Sequence, residues 1–326
     1  MNRFEGWDRP VRIAIKQEGV LVGGFQILSK QSRVGRIGCI NKGPVLVLEA
    51  AHLSKLVAKA LIETIKTLRI TALVVKSPDD ETELHRTLGQ QGFLSNNIVH
   101  RAEATVYVDV SDGIQAIEKR MRKTTRQEIN QTARAGITIR AGDDADIETF
   151  FDLMLMTCER QGAQPIPSSL EAMVAAWRTF DSTGHAKMLV AEQEGRIVAA
   201  LLCILFGKRM TLWKVGWARE GSRHHPVKLL FYEALKWAST NGYPIVDFMG
   251  LPRGMAEARL ENRPFEAKQK TNTYFYKLGF GGYPILLPQD LVYFRNPLLR
   301  WVHRLVLLIP CAKPFSVLHR LESKLR

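Results

Sequence analysis

The stretch "IAIKQEGVLVGG", Ile13 to Gly24, has a counterpart far along the chain in "LVAEQEGRIVAA", Leu189 to Ala200. Each has an apolar run, then Gln-Glu-Gly, then a second apolar run ending in two small residues. Apolar runs on either side of a Glu-Gly pair predict two strands joined by a tight hairpin turn. Beyond each hairpin the elements come in the same order. After the first come "VGRIGCINKGPVLVL" as a strand and loop, and a helix over 52–68 whose Leu53, Leu56, Val57, Ala60, Leu61, Ile65 and Leu68 recur at helical spacing. The strand "ITALVVK", the short helix "ETELHRTLGQQGF" and a last strand "EATVYVDV" complete that half. After the second hairpin come the strand "RMTLWKVGW" and the helix "HHPVKLLFYEALKWASTNG", with Pro226 suited to its first turn and Asn241-Gly242 to its end. The strand "YPIVDFMG" and the segment "TYFYKLGFGG" complete the second half. The chain therefore reads as one α/β (α+β) fold built twice, with mixed sheets flanked by helices. The expected division is a first domain at 1–110, a basic linker helix at 111–140, a second domain at 141–290 and an amphipathic, basic helical tail at 291–326.

Composition sets the outer limits. The chain has 326 residues, 46% hydrophobic and 24% charged, which is enough apolar material for two cores and argues against wholesale disorder. Cys39, Cys158, Cys203 and Cys311 lie far apart with no Cys-x-x-Cys pair, so neither a zinc site nor a disulfide framework is suggested. The opening lacks the apolar run of a secretory leader, and no apolar stretch reaches the ~18 residues of a membrane span, so a cytoplasmic protein is expected. The net charge of +14 favours a polyanionic partner. Much of that charge is concentrated. From Lys119 to Arg140 the basic residues are Lys119, Arg120, Arg122, Lys123, Arg126, Arg134 and Arg140, against the single acid Glu128. Arg120, Arg122, Lys123 and Arg126 are the candidates for contact with RNA or phosphate, a backbone-driven and salt-sensitive interaction.

A strand pair, strand, helix, strand, helix, strand is the order of the GNAT acyltransferase fold, here expected as two tandem GNAT-like domains. Several stretches go further and resemble the FemABX family of non-ribosomal peptidyl transferases. They are the basic helix after "VYVDV", the Lys-Gly-Pro strand end "INKGPVL", the helix–strand unit "LLFYEALKWASTNGYPIVDFMGL", the loop "RQGAQPIP" and, most specifically, "FYKLGFGG". The resemblance spans roughly residues 10–290. It implies transfer of an amino acid from aminoacyl-tRNA to an amine on a peptidoglycan or other cell-envelope precursor, with the first half helping to hold the acceptor and the second carrying out the reaction. It further implies that Lys277, with Tyr276 beside it, stabilises charge at the reacting carbonyl. Asp247 matches the acid at the strand end, and Lys42 the basic residue before Gly-Pro.

The residues themselves fit that chemistry. A lysine at a Gly-flanked turn can stabilise a tetrahedral oxyanion as a point charge. Gly279, Gly281 and Gly282 would let the backbone come close to a substrate. Asp247 lies in the otherwise apolar "IVDFMG", where a carboxylate is costly unless paired or solvated; it would accept the amine proton or orient Lys277, or else simply hold a neighbouring loop. No coenzyme is required besides the aminoacyl-tRNA co-substrate. Coenzyme A is disfavoured because "WAREGSRHHP" lacks the glycine pattern that cradles a pyrophosphate at a helix N-terminus. Arg219, Arg223, His224 and His225 in that loop would instead meet a tRNA or lipid phosphate, with Arg219 and Arg223 the substrate-binding candidates. Its paired histidines have no third ligand at suitable spacing, so no metal is expected. In the tail, Leu298, Val302, Leu305, Val306 and Ile309 share one helical face and Arg300 and Arg304 another, which suits either contact with the inner face of an anionic membrane or packing on the first domain. Two other functions stay open. One is an acyl-CoA-dependent N-acyltransferase acting on an amino sugar or exopolysaccharide precursor; the other is a non-enzymatic basic module bound to membrane or RNA.

Overall fold

The computed structural model describes residues 7–8, 10–33, 35–47, 51–79, 82–95, 103–219, 224–270 and 274–307. The chain forms two compact units, one of residues 1–103 with 287–326 and the other of 104–286. In chain order the first begins with strands β1 (Val11–Gln17), β2 (Val20–Ser32), β3 (Gly35–Asn41) and β4 (Val45–Leu46). Helix α1 (Ala51–Thr67), β5 (Ile70–Lys76), α2 (Thr82–Gln90) and β6 (Leu94–Ser95) come next. The second has β7 (Ala104–Asp109), α3 (Ile114–Arg120), α4 (Lys123–Arg134), β8 (Thr138–Ala141), α5 (Ile147–Arg160) and α6 (Leu170–Asp181). It continues through β9 (Ala186–Gln193), β10 (Arg196–Phe206), β11 (Arg209–Trp217), α7 (Pro226–Thr240), β12 (Ile245–Asp247), α8 (Arg253–Leu260), α9 (Ala267–Lys270) and β13 (Tyr283–Leu286). The chain then returns to the first unit with β14 (Leu291–Phe294) and α10 (Pro297–Leu307).

The Gln-Glu-Gly echo is a pair of matching hairpin turns. Gln17 pairs with Val20 and Gln193 with Arg196, leaving Glu18-Gly19 and Glu194-Gly195 as two-residue loops. All four have positive φ: 51° and 82° in the first loop, 52° and 74° in the second. Such loops match the right-handed twist of the strands they join, and they need glycine where φ is most positive.

The sheets have corresponding orders. In the first unit it is β1-β2-β3-β5-β14-β6, with β4 beside β2; in the second it is β13-β7-β12-β11-β10-β9-β8. Each has an antiparallel meander, then one parallel step (β3 to β5, β11 to β12), then antiparallel neighbours. The parallel step is bridged by the long helix of each half, α1 or α7. Alternation along β9 sorts the second core into two faces. Leu189 and Ala191 join Ile129 of α4 and Leu230 and Ala234 of α7, whereas Met188 and Val190 join Phe150 of α5 and Trp177 of α6. The first unit's core gathers Ile15, Phe25, Ile27, Val57, Leu61, Leu73, Leu84 and Leu291.

Three expected boundaries change. "EATVYVDV", read as the last strand of the first half, is β7 and lies between β12 and β13 of the second sheet. The equivalent place in the first sheet, between β5 and β6, is taken by β14. A strand buried along nearly its whole length signals burial on both faces but carries no record of which sheet buries it. The basic stretch is not a linker. It forms α3 and α4, broken at Met121-Arg122, and Ile117, Met121 and Ile129 are buried in the second unit's core. Its acids point inward: Glu128 pairs with Lys228 of α7 at 2.6 Å, and Glu118 accepts a hydrogen bond from Tyr232. The tail opens as the strand β14 before becoming helical; residues 308–326, Ile309 and Cys311 among them, lie outside the described residues. Cys39, Cys158 and Cys203 are thiols. No described helix is long and apolar enough to cross a membrane.

Candidate active site

The parallel pair β11/β12 comes apart. Its register runs from Arg209–Ile245 to Thr211–Asp247, after which β12 ends while β11 continues to Trp217. Asp247 stands at that fork. Its carboxylate accepts the Met249 N–H at 2.8 Å and the Thr105 hydroxyl of the adjoining strand β7. These bonds pin a sharp turn in which Met249 and Gly250 both have positive φ (54° and 41°). That conformation turns both carbonyls toward Lys277, whose Nζ donates to Met249 O at 2.7 Å and Gly250 O at 3.0 Å. Burial lowers the ammonium pKa to about 8, against the opposing pull of Asp247. Asp247 thus holds the turn whose carbonyls receive Lys277, and its charge favours the ammonium.

Lys277 opens the 3-10 turn Lys277–Phe280, and the residue before it, Tyr276, stacks on Phe231 of α7 at 5.8 Å. Burial raises the Tyr276 hydroxyl pKa. Tyr276 also walls a cavity of about 200 Å³ in the fork, together with Thr157, Val215, Trp217, His225 and Lys228. Its rim is basic. The Arg160 guanidinium lies 3.9 Å from the Trp217 ring and donates to Trp217 O; burial, and then the nearby charge of Arg219, lower its pKa. His225 caps α7 with φ 51°, Pro226 supplies the first helical residue, and burial and Lys228 both lower the His225 pKa. Arg160, Thr157 and Lys228 are not among the residues expected from sequence, whereas His225 is one of the expected phosphate contacts; Pro226 after two histidines was the local signal for the helix start.

The other expected residues divide. Lys42 is in the first unit, left-handed at φ 51° after β3 and paired with Asp79. Arg223 lies outside the described residues. The glycines of the signature serve packing rather than an open substrate surface. A Cβ on Gly279 would collide with Thr125 Oγ1, one on Gly281 would stand 2.8 Å from Arg120 Cβ, and one on Gly282 2.7 Å from Tyr107 O. They let the turn close against α3, α4 and β7. Of the four basic candidates, Arg126 is engaged with the Glu118 carbonyl at 2.7 Å and Lys123 is exposed, while Arg120 and Arg122 line a separate pocket.

A family model described as acetyltransferase (GNAT) domain matches residues 119–259. The fold is similar to that of FemX, with a TM-score of 0.77 and 16% identity, covering 92% of this chain and 91% of that one. It is also similar to L-PGS from Bacillus licheniformis (TM-score 0.54, 13% identity, 86% and 84% covered). A tandem GNAT protein from the clavulanic acid biosynthesis pathway resembles it as well (TM-score 0.54, 11% identity, 90% and 86% covered). No curated protein matches in sequence. The forked parallel pair, the duplicated meander and these likenesses agree: the chain is an acyltransferase with a FemABX-like tandem GNAT fold, and its GNAT domain lies in the second unit.

Proposed function

We propose that the second unit transfers an aminoacyl group from aminoacyl-tRNA to an amine of a cell-envelope precursor. The observation that carries this reading is Lys277, fixed by two backbone carbonyls and next in the chain to Tyr276, which walls a cavity the size of an amino-acid side chain. As an ammonium Lys277 has three N–H groups, two of which are given to Met249 O and Gly250 O; the ammonium also lies 5.4 Å from the centre of the Tyr274 ring, and its third N–H would be offered to a developing oxyanion. The acceptor's neutral amine attacks the ester carbonyl carbon, the new C–N bond forms, and the carbonyl oxygen takes the negative charge. Collapse breaks the C–O bond to the ribose, and the proton lost by the amine ends on the departing ribose oxygen. Lys228 in the cavity wall and Arg160 on Trp217 beside it suit the phosphates of the RNA. Pro226 removes one N–H from the start of α7, which counts against a pyrophosphate bound there as in acyl-CoA enzymes.

Binding of mixed aminoacyl-tRNA and of acetyl-CoA to the purified chain, side by side at two salt concentrations, tests the donor. The expected result is tRNA binding that weakens steeply with salt, with no binding of acetyl-CoA. Acetyl-CoA binding alone would replace this reading with acyl-CoA-dependent N-acylation.

A further inference from the structure

The break between α3 and α4 builds a second basic site, away from the fork. Arg122 caps α4 in extended conformation, and its N–H donates to Gly279 O at 2.9 Å, locking the break to the 3-10 turn. Gly281, left-handed at φ 79°, allows Arg120 to close in from the other side. Helix α8 brings Arg259, and the loop after it Phe265. The result is a pocket of about 430 Å³ lined by Arg120, Arg122, Arg259, Phe265, Leu278 and Gly281. Arg122 is half-buried, with its guanidinium 3.9 Å from the centre of the Phe275 ring, which Phe265 meets edge-on at 5.4 Å. Carboxylates balance only part of this charge. Arg120 donates to the Asp109 carbonyl at 2.5 Å and reaches Asp112 at 3.9 Å, while among the described residues neither Arg122 nor Arg259 has a salt bridge. Burial, and then the like charge of Arg259, lower the Arg122 pKa against a weaker pull from Glu128. Guanidiniums gathered around a cavity on an aromatic shelf repel one another until an anion enters, and their planar forks suit phosphate oxygens.

We propose that Arg120, Arg122 and Arg259 form a phosphate-binding site on the outer side of the Lys277–Phe280 turn. Phosphate there would come from an RNA backbone or from a nucleotide-diphosphate precursor. The site does not depend on the transfer reaction, and binding is read without turnover. Full-length protein is titrated with bulk deacylated tRNA and, separately, with UDP-N-acetylglucosamine, using Arg122→Gln, Arg259→Gln and the control Arg263→Gln, whose arginine pairs with Glu261 outside the pocket. Arg259 is exposed, so its variant folds even if that of Arg122 does not. Each pocket variant is expected to weaken binding of one probe roughly tenfold, the scale for losing one charge-assisted bond, with the control unchanged. Loss for tRNA identifies an RNA phosphate and agrees with the proposed donor. Loss for the nucleotide sugar alone identifies a precursor diphosphate. Unchanged binding of both probes in both pocket variants, or an equal loss in the control, overturns the site.

Helix α10, in the first unit, is amphipathic but inside out. Its polar side faces inward: His303 is buried with Nε2 3.2 Å from Ser95 O, and Arg300 donates to Phe294 O at 3.1 Å. Its apolar stripe faces out, with Leu298 63%, Trp301 59%, Val302 44% and Leu305 41% exposed. Arg295 and Arg304 are exposed on its flanks, in a chain of net charge +14. We propose that this stripe docks on an anionic lipid surface, with tryptophan at the interface and the arginines meeting headgroups. Co-sedimentation with phosphatidylglycerol-containing vesicles, and with phosphatidylcholine alone, is the test. Binding to the anionic vesicles only, lowered at least tenfold in Leu298→Glu and Trp301→Glu, is expected. Vesicle binding untouched by these changes would overturn the proposal. So would binding that appears only once residues 308–326 are removed, or a dimer that the same changes dissociate.

Discussion

Lys277→Ala is expected to slow turnover roughly 10²–10³-fold, the scale for losing one oxyanion donor, while melting close to the parent. The two halves of that expectation have different causes. The rate falls because nothing else on the Tyr276–Gly282 turn supplies a positive charge. Stability changes little because two effects offset. Below pH 8 the lysine is protonated in both folded and unfolded chains, and its desolvated ammonium costs stability there. That cost fades as pH rises from about 8, the folded value, toward the ordinary 10.5. Removing the side chain relieves the cost at neutral pH but leaves the Met249 and Gly250 carbonyls without their donor. The same pKa predicts the pH profile. If the ammonium is the working form, the rate of the parent falls above pH 8, and Lys277→Arg, charged throughout, loses that fall even where its rate is low. A rate that climbs through pH 8 instead would make the neutral amine the working form and Lys277 a base.

The largest expected effect on stability lies at Gly216. A Cβ there would stand 2.5 Å from Met154 N and 2.6 Å from Leu153 C, both backbone atoms of α5, and a helix backbone cannot swing aside as a side chain can. Gly216→Ala is therefore expected to cost about 3 kcal/mol, the upper end for overpacking a core, and to lower the melting temperature of the second unit by roughly 6–12 °C. The contact also shapes the cavity in the fork. Thr157 of α5 donates to Leu153 O at 2.8 Å and accepts the Trp217 N–H at 3.1 Å, so pushing α5 away withdraws Thr157 from the cavity wall. Calorimetry and donor binding on the same variant should show both losses. A melting temperature equal to the parent's would mean that α5 can slide without cost.

How much of the structure was legible in the chain differs by kind of information. Hairpin turns, the long helices and the strand "RMTLWKVGW" are set by local spacing and turn chemistry, and β11 runs over those same nine residues. The pairing of Lys277 with the strand end of Asp247 could be anticipated only through the family resemblance, and its geometry, two carbonyls between them, not at all. Partners of β7 and β14 were illegible because a buried strand's pattern names no neighbour. The basic run shows a related limit. Seven cations in a row of positions look like one surface, yet Arg140 is bound by Asp146 and Glu192, and Arg126 by a carbonyl. Arg259, which completes the arginine pocket, comes from a helix whose place depends on the folded sheet.

The position of β14 has a consequence for how the protein is made. The first unit's sheet needs Leu291–Phe294 between β5 and β6, so the half that leaves the ribosome first is the last that can close. At about 5–20 residues per second, the intervening chain takes tens of seconds to synthesise. For that interval β5 offers an open edge, a state in which nascent strands pair wrongly or call on a chaperone. The second unit carries β7 from its own start and can build most of its sheet in that interval, but its edge strand β13 (Tyr283–Leu286) is made only just before β14.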